Sequence, residues 1–202
     1  MKIVIFVFFS IILFGCSDMS SKSAFVGEVA RSTSMPVGTV SSESIYQLAD
    51  TFQTQDNKKI TLSYFMGKPT VVGMIFTHCP YACPRLTADI KDIEEKMNSK
   101  KGVNYLLVSF DSERDFPEQL KKFANSYGLN QNWTLLHGDE NAVRTLSVLL
   151  NVQFQKDATG NFSHSNIISV LDKDGVLVFQ KEGIDADPAE TIGTLKQLLA
   201  KR

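Results

Sequence analysis

The sequence predicts an α/β sandwich in which helices cover both faces of a mixed sheet, and three observations carry that prediction. Residues 70–76, Thr-Val-Val-Gly-Met-Ile-Phe, form a continuous apolar run of strand length, the pattern of a strand buried on both sides. Beyond it, Leu86, Ile90, Ile93 and Met97 recur at helical spacing among acids and lysines, which predicts an amphipathic helix. Near the end of the chain, strand-like runs 166–171 and 176–180 flank Asp172-Lys173-Asp174-Gly175, whose Asp-Gly close signals a hairpin, and a helical pattern follows.

Taken in order, the chain begins with Lys2 and an almost wholly apolar stretch, 3–14, too short to span a bilayer, which needs about 20 residues. This predicts an export signal over residues 1–15. Its end, Leu13-Phe14-Gly15-Cys16, resembles the lipobox of bacterial lipoproteins, in which the cysteine is acylated and becomes the mature N-terminus. The competing reading is an uncleaved anchor; either places the body outside the cytoplasm, at a periplasm-facing membrane. Ser17, where an aspartate could stand, implies the outer membrane in a Gram-negative cell. Residues 16–44 are rich in Ser, Thr, Gly and Val with no sustained period and read as a flexible tether.

Residues 45–202 are then one domain, with length enough for a core and no internal repeat. Stretches 46–54 and 59–62 alternate around Asp56-Asn57 and predict a hairpin or paired edge strands. Further along, 103–110 is strand-like, 117–127 helical, 133–136 short and extended, and 140–150 helical with Val143, Leu146 and Leu150 inward. The last helix, 188–199, turns Ile192, Leu195 and Leu199 to one face, with Asp187 available as its cap. Lys+Arg at 21 against Asp+Glu at 22 gives a net charge of -1, which excludes an electrostatic grip on nucleic acid.

The chemistry concentrates in Phe76-Thr77-His78-Cys79-Pro80-Tyr81-Ala82-Cys83-Pro84. Neither proline suits the interior of a helix, so the two thiols are expected in a loop and irregular first turn, with the regular helix starting near Pro84. The positive end of the helix dipole should then lower the pKa of at least one cysteine below its ordinary ~8.5. Cysteines four apart on a turn can form a disulfide, exchange disulfides with a partner, or grip one metal ion together. A permanent structural disulfide is the plainest alternative, although so small a loop would restrict the unfolded chain little.

A third ligand has three candidates. His78 adjoins Cys79, where neighbouring side chains on an extended segment point apart. His137 falls at the end of a short strand. His164 stands in a loop at the entry to the strand 167–171, from which an imidazole can reach over the cysteines. Two thiolates and one imidazole make a soft set suited to Cu(I), whereas zinc would need a fourth ligand. Arg85 is the basic residue near the pair that a peroxidase-like reading would require.

The segments Phe76-Thr77-His78-Cys79-Pro80 with Cys83-Pro84, then Ser109-Phe110-Asp111-Ser112-Glu113-Arg114-Asp115-Phe116-Pro117-Glu118, then His164-Ser165 with Leu171-Asp172-Lys173-Asp174-Gly175 resemble the SCO/SenC family. The resemblance implies a thioredoxin-like fold and a copper ion held by Cys79, Cys83 and His164. It implies a metallochaperone whose partner is the copper-site subunit of a cytochrome c oxidase, or another copper or thiol protein. Asp115 would match the acid of the family's Arg-Asp-x-Pro motif; from the residues alone it reads equally as the cap of the helix at 117. Between the cysteines the family usually carries an aspartate and a valine, so Tyr81-Ala82 removes a negative charge beside the metal. The rival function is a thiol-disulfide oxidoreductase, with Cys79 attacking and Cys83 resolving.

Overall fold

The structure, a computed structural model, describes residues 41–98 and 102–201. The expected signal peptide, the lipidation site Cys16 and the tether as far as residue 40 lie outside the described residues. Residues 41–44, expected in the tether, belong to the packed body: Ser44 is buried, pairs with Val176 and caps a short 3-10 turn, Ile45–Gln47. That turn stands where 46–50 was expected to begin a strand. The hairpin proper is shorter, β1 (Phe52–Thr54) with β2 (Lys59–Ile60), and Leu62 already begins a second 3-10 turn.

The central layer holds β3 (Thr70–Ile75), β4 (Asn104–Ser109) and β5 (Trp133–His137) in parallel. On one side β8 (Ile167–Leu171) pairs antiparallel with β3 and β9 (Leu177–Glu182) antiparallel with β8; on the other β1 pairs antiparallel with β5 and β2 antiparallel with β1. The sheet therefore runs β2-β1-β5-β4-β3-β8-β9, a mixed sheet of seven strands among the described residues. All six residues of β3 are buried, as its unbroken apolar run requires.

The linking helices are α1 (Ala82–Met97), α2 (Pro117–Ser126) and α3 (Glu140–Leu149), with α4 (Ala189–Ala200) closing the chain. Leu86, Ile90 and Ile93 of α1 are fully or almost fully buried, each contributing about 1.5–3 kcal/mol of apolar burial. Gly73 shows how closely α1 lies on the sheet, since a Cβ there would meet Ile90 Cδ1 at 2.9 Å. Its strand neighbour Val72 points to the opposite face and pairs with Ser169, whose hydroxyl accepts a bond from Gln180 Nε2. The same amide donates to the Leu150 carbonyl at the end of α3, so α1 and α3 cover opposite faces as the sequence predicts. Asp187 accepts the Ala189 amide at the start of α4.

A second sheet was not foreseen. Two three-residue strands, β6 (Phe154–Lys156) and β7 (Phe162–His164), pair antiparallel in a hairpin separate from the main sheet. No helix among the described residues is long and apolar enough to cross a membrane.

The β8–β9 hairpin depends on Gly175, at φ +85, where a Cβ would stand 2.4 Å from the Tyr46 ring. Gly175→Ala combines a left-handed backbone with a clash against a buried ring. It is expected to destabilise the fold by about 2–4 kcal/mol, read as a lowered urea midpoint at unchanged slope.

Candidate metal centre

Because β3 and β4 are parallel neighbours, the loops that leave their carboxyl ends emerge at the same edge of the sheet, where sites gather in open α/β folds. The first loop carries Thr77, His78 and Cys79 into α1, and the second carries residues 110–116 into α2. The regular helix starts at Ala82, two residues earlier than expected. Pro84 is accommodated as its third residue, because first-turn amides have no partner within the helix. Cys83 is therefore helical and buried, while Cys79 precedes the helix and is partly exposed.

Both cysteines are free thiols. Cys79 Sγ accepts the Cys83 amide at 3.4 Å, and Cys83 Sγ accepts the Phe76 amide at 3.3 Å. Burial pushes the Cys83 thiol well above the usual range, against which the Phe76 amide is the smaller influence. Cys83 is therefore not a cysteine whose pKa is lowered, because its sulfur lies in the core rather than at an exposed helix end.

His164 arrives on the β6–β7 hairpin, at the end of a strand rather than in a loop. Its Nε2 lies 3.6 Å from Cys83 Sγ. Its Nδ1 is 3.1 Å from the Ser165 carbonyl, which can only accept, so Nδ1 carries the proton and Nε2 presents its lone pair to the sulfur. Burial lowers the imidazole's pKa, with the Ser165 bond acting the other way. At rest a neutral thiol thus faces a neutral imidazole, and a metal ion binding there would displace the thiol proton.

The donor atoms of Cys79, Cys83 and His164 all lie within 4.8 Å of one another. Two sulfurs and a neutral imidazole, two of the three residues partly exposed and one buried, fit a soft monovalent ion. The hairpin is held in place around Phe110, whose ring lies 5.0 Å from Phe162, 5.1 Å from Phe154 and 5.0 Å from the His164 ring. Arg114 donates to the Gly160 carbonyl in the hairpin's turn, and Lys156 pairs with Glu113 at 2.5 Å.

The other candidates lie elsewhere. His137, at the end of β5, packs on Phe116, and burial lowers its pKa. Arg85 pairs with Asp185 ahead of α4. Tyr81, the middle of the three residues between the cysteines, is 65% exposed. His78 groups with Asp111 and Asp115 rather than with the sulfurs, its Nδ1 3.5 Å from Asp115 Oδ1. Asp115 does not cap α2: Phe116 occupies that position without a side-chain bond. Fully buried, Asp115 accepts the Thr77 amide at 2.8 Å, the Thr77 hydroxyl at 2.5 Å and the Ser109 hydroxyl at 2.6 Å, tying the cysteine loop to β4.

Comparison with known proteins shows what this arrangement is similar to. The SCO1/SenC family model matches residues 41–200. A SCO1 protein homolog of Bacillus subtilis is 29% identical over 150 residues, covering 70% of this chain and 76% of that protein. The structure of Bradyrhizobium japonicum ScoI with copper bound superimposes with a TM-score of 0.64 at 27% identity, over 74% of this chain and 96% of that one. BsSco, a member of the Sco family of cytochrome c oxidase assembly proteins in which a disulfide switch has been identified, superimposes with a TM-score of 0.67 at 28% identity, over 75% of this chain and 92% of its own.

Proposed function

This chain belongs to the SCO1/SenC family, and on that premise we propose that it is a metallochaperone that holds copper through Cys79, Cys83 and His164 and assists assembly of the binuclear copper site of a terminal cytochrome c oxidase. The observation that carries the proposal is the convergence of three soft donors suited to Cu(I), delivered by two distant parts of the chain. Copper bound in ScoI and the oxidase-assembly role of BsSco's family support it. The lipobox-like end at Cys16 supports a lipid-anchored, periplasm-facing location for the body, in the outer membrane if Ser17 is read as the sorting residue.

The test is metal loading of the full chain under reducing conditions. One equivalent of Cu(I) is expected, with an X-ray absorption spectrum of two sulfurs and one nitrogen. Loading with no sulfur in the first shell would defeat the proposal.

A thiol-disulfide oxidoreductase is the second reading, favoured by the pairing of a partly exposed Cys79 with a buried Cys83 and by the disulfide switch of BsSco. Titration of the pair against glutathione decides it. A potential far below the compartment's poise, with no turnover on a protein disulfide, would remove this reading.

A further inference from the structure

We propose that His78, Asp111 and Asp115 form a second metal site, for a divalent first-row transition cation, beside the thiol centre and chemically distinct from it. One ring nitrogen and one oxygen from each carboxylate lie within 4.8 Å of one another. His78 Nδ1 and Asp115 Oδ1 are 3.5 Å apart. Ligands about 2.1 Å from a shared ion lie roughly 3–4 Å from each other, a range that the His78–Asp115 pair already meets.

The independent observation is at Asp111. This residue is 1% exposed, its Oδ2 accepts from Arg114 Nε, and its Oδ1 is buried with no hydrogen-bond partner among the described residues. A buried carboxylate oxygen left without a partner is costly, and a cation at the cluster satisfies it. Among the described residues Asp115 takes three neutral donors and no Lys or Arg ion pair, so two buried carboxylates are matched there by the single guanidinium of Arg114. His78, 45% exposed, gives the ion a way in.

The donor set names the class of ion. One imidazole and two carboxylates suit Zn(II), Cu(II), Ni(II) or Co(II), and not Cu(I), which prefers the thiols. Calcium would need six to eight oxygens, more than this cluster offers. The inference does not rest on the copper reading of the thiol centre.

The test uses the full chain carrying Cys79→Ala and Cys83→Ala, which removes the competing sulfurs, titrated calorimetrically with Zn(II) and, separately, with Cu(II). One equivalent is expected. In that background His78→Ala and Asp111→Asn are each expected to weaken binding about 10-fold or more, whereas His164→Ala leaves it unchanged. The Cu(II) spin-resonance signal should show hyperfine coupling to a single nitrogen, lost in His78→Ala. No bound equivalent, or affinity indifferent to His78→Ala, overturns the proposal. Should Asp111→Asn lose its folded circular dichroism, the exposed His78 decides alone.

Discussion

Replacing Cys83 by alanine is expected to lower Cu(I) affinity on the order of 100-fold or more, measured by competition with a Cu(I) chelator. Of the three proposed ligands, Cys83 is the one that the fold fixes most firmly. Its sulfur takes the Phe76 amide, faces His164 Nε2, and sits in the first turn of a helix whose next turns are packed in the core. Without it, a partly exposed thiol and an imidazole remain, and neither is held by the same element. The loss of one buried sulfur should cost the fold only about 1 kcal/mol, so the fall in affinity far exceeds the fall in stability. His164→Ala removes a proposed ligand but leaves the thiol pair, and a smaller loss, about 10-fold or more, is expected. An affinity for Cys83→Ala within threefold of the parent would show that copper is held elsewhere.

Asp115→Ala should produce the largest loss of stability at the site, about 3 kcal/mol or more by urea unfolding. It strands the Thr77 amide and the Thr77 and Ser109 hydroxyls in a buried place. Asp115→Asn can keep an acceptor for the Thr77 amide and Ser109, and its new amide can donate to the Thr77 hydroxyl, so less than half that loss is expected. The Thr77 anchor also sets where Cys79 begins, so Asp115→Ala should weaken copper binding even where the protein remains folded. A cost below about 1 kcal/mol for Asp115→Ala would mean that the carboxylate does not hold the cysteine loop.

The elements that were legible in the sequence are those with long, regular patterns. The apolar run of β3, the helical recurrence of Leu86, Ile90, Ile93 and Met97, and the Asp174-Gly175 turn all correspond to elements of the structure. The β6–β7 hairpin went unforeseen because three residues are too few to show alternation, although Asp157 and Gly160-Asn161 between the strands are turn-prone. α1 starts ahead of the sequence expectation because a proline in the first turn, which reads as a helix breaker, forfeits no intrahelical bond. The thiol pair and His164 could be singled out by residue type. Asp115 could be named only as a motif acid or a cap, since acids are expected at the surface and here it is buried against Thr77 of the cysteine loop and Ser109 of β4, while Asp111 is buried in the same loop as its partner Arg114.

His164 lies 81 residues beyond Cys83, whereas Cys79 and Cys83 are only four apart, and this asymmetry has a consequence for the denatured chain. A chain that has lost its fold still keeps the two thiols close enough to chelate one ion, so a metal held by them alone gives the native state little advantage. A metal that also takes the imidazole staples a long loop shut, and by chain-closure entropy such a staple disfavours the denatured ensemble by roughly 4–5 kcal/mol. The rise in melting temperature on loading therefore reports engagement of the hairpin's histidine, while titrated stoichiometry reports the thiols, and the two can be separated on a single sample.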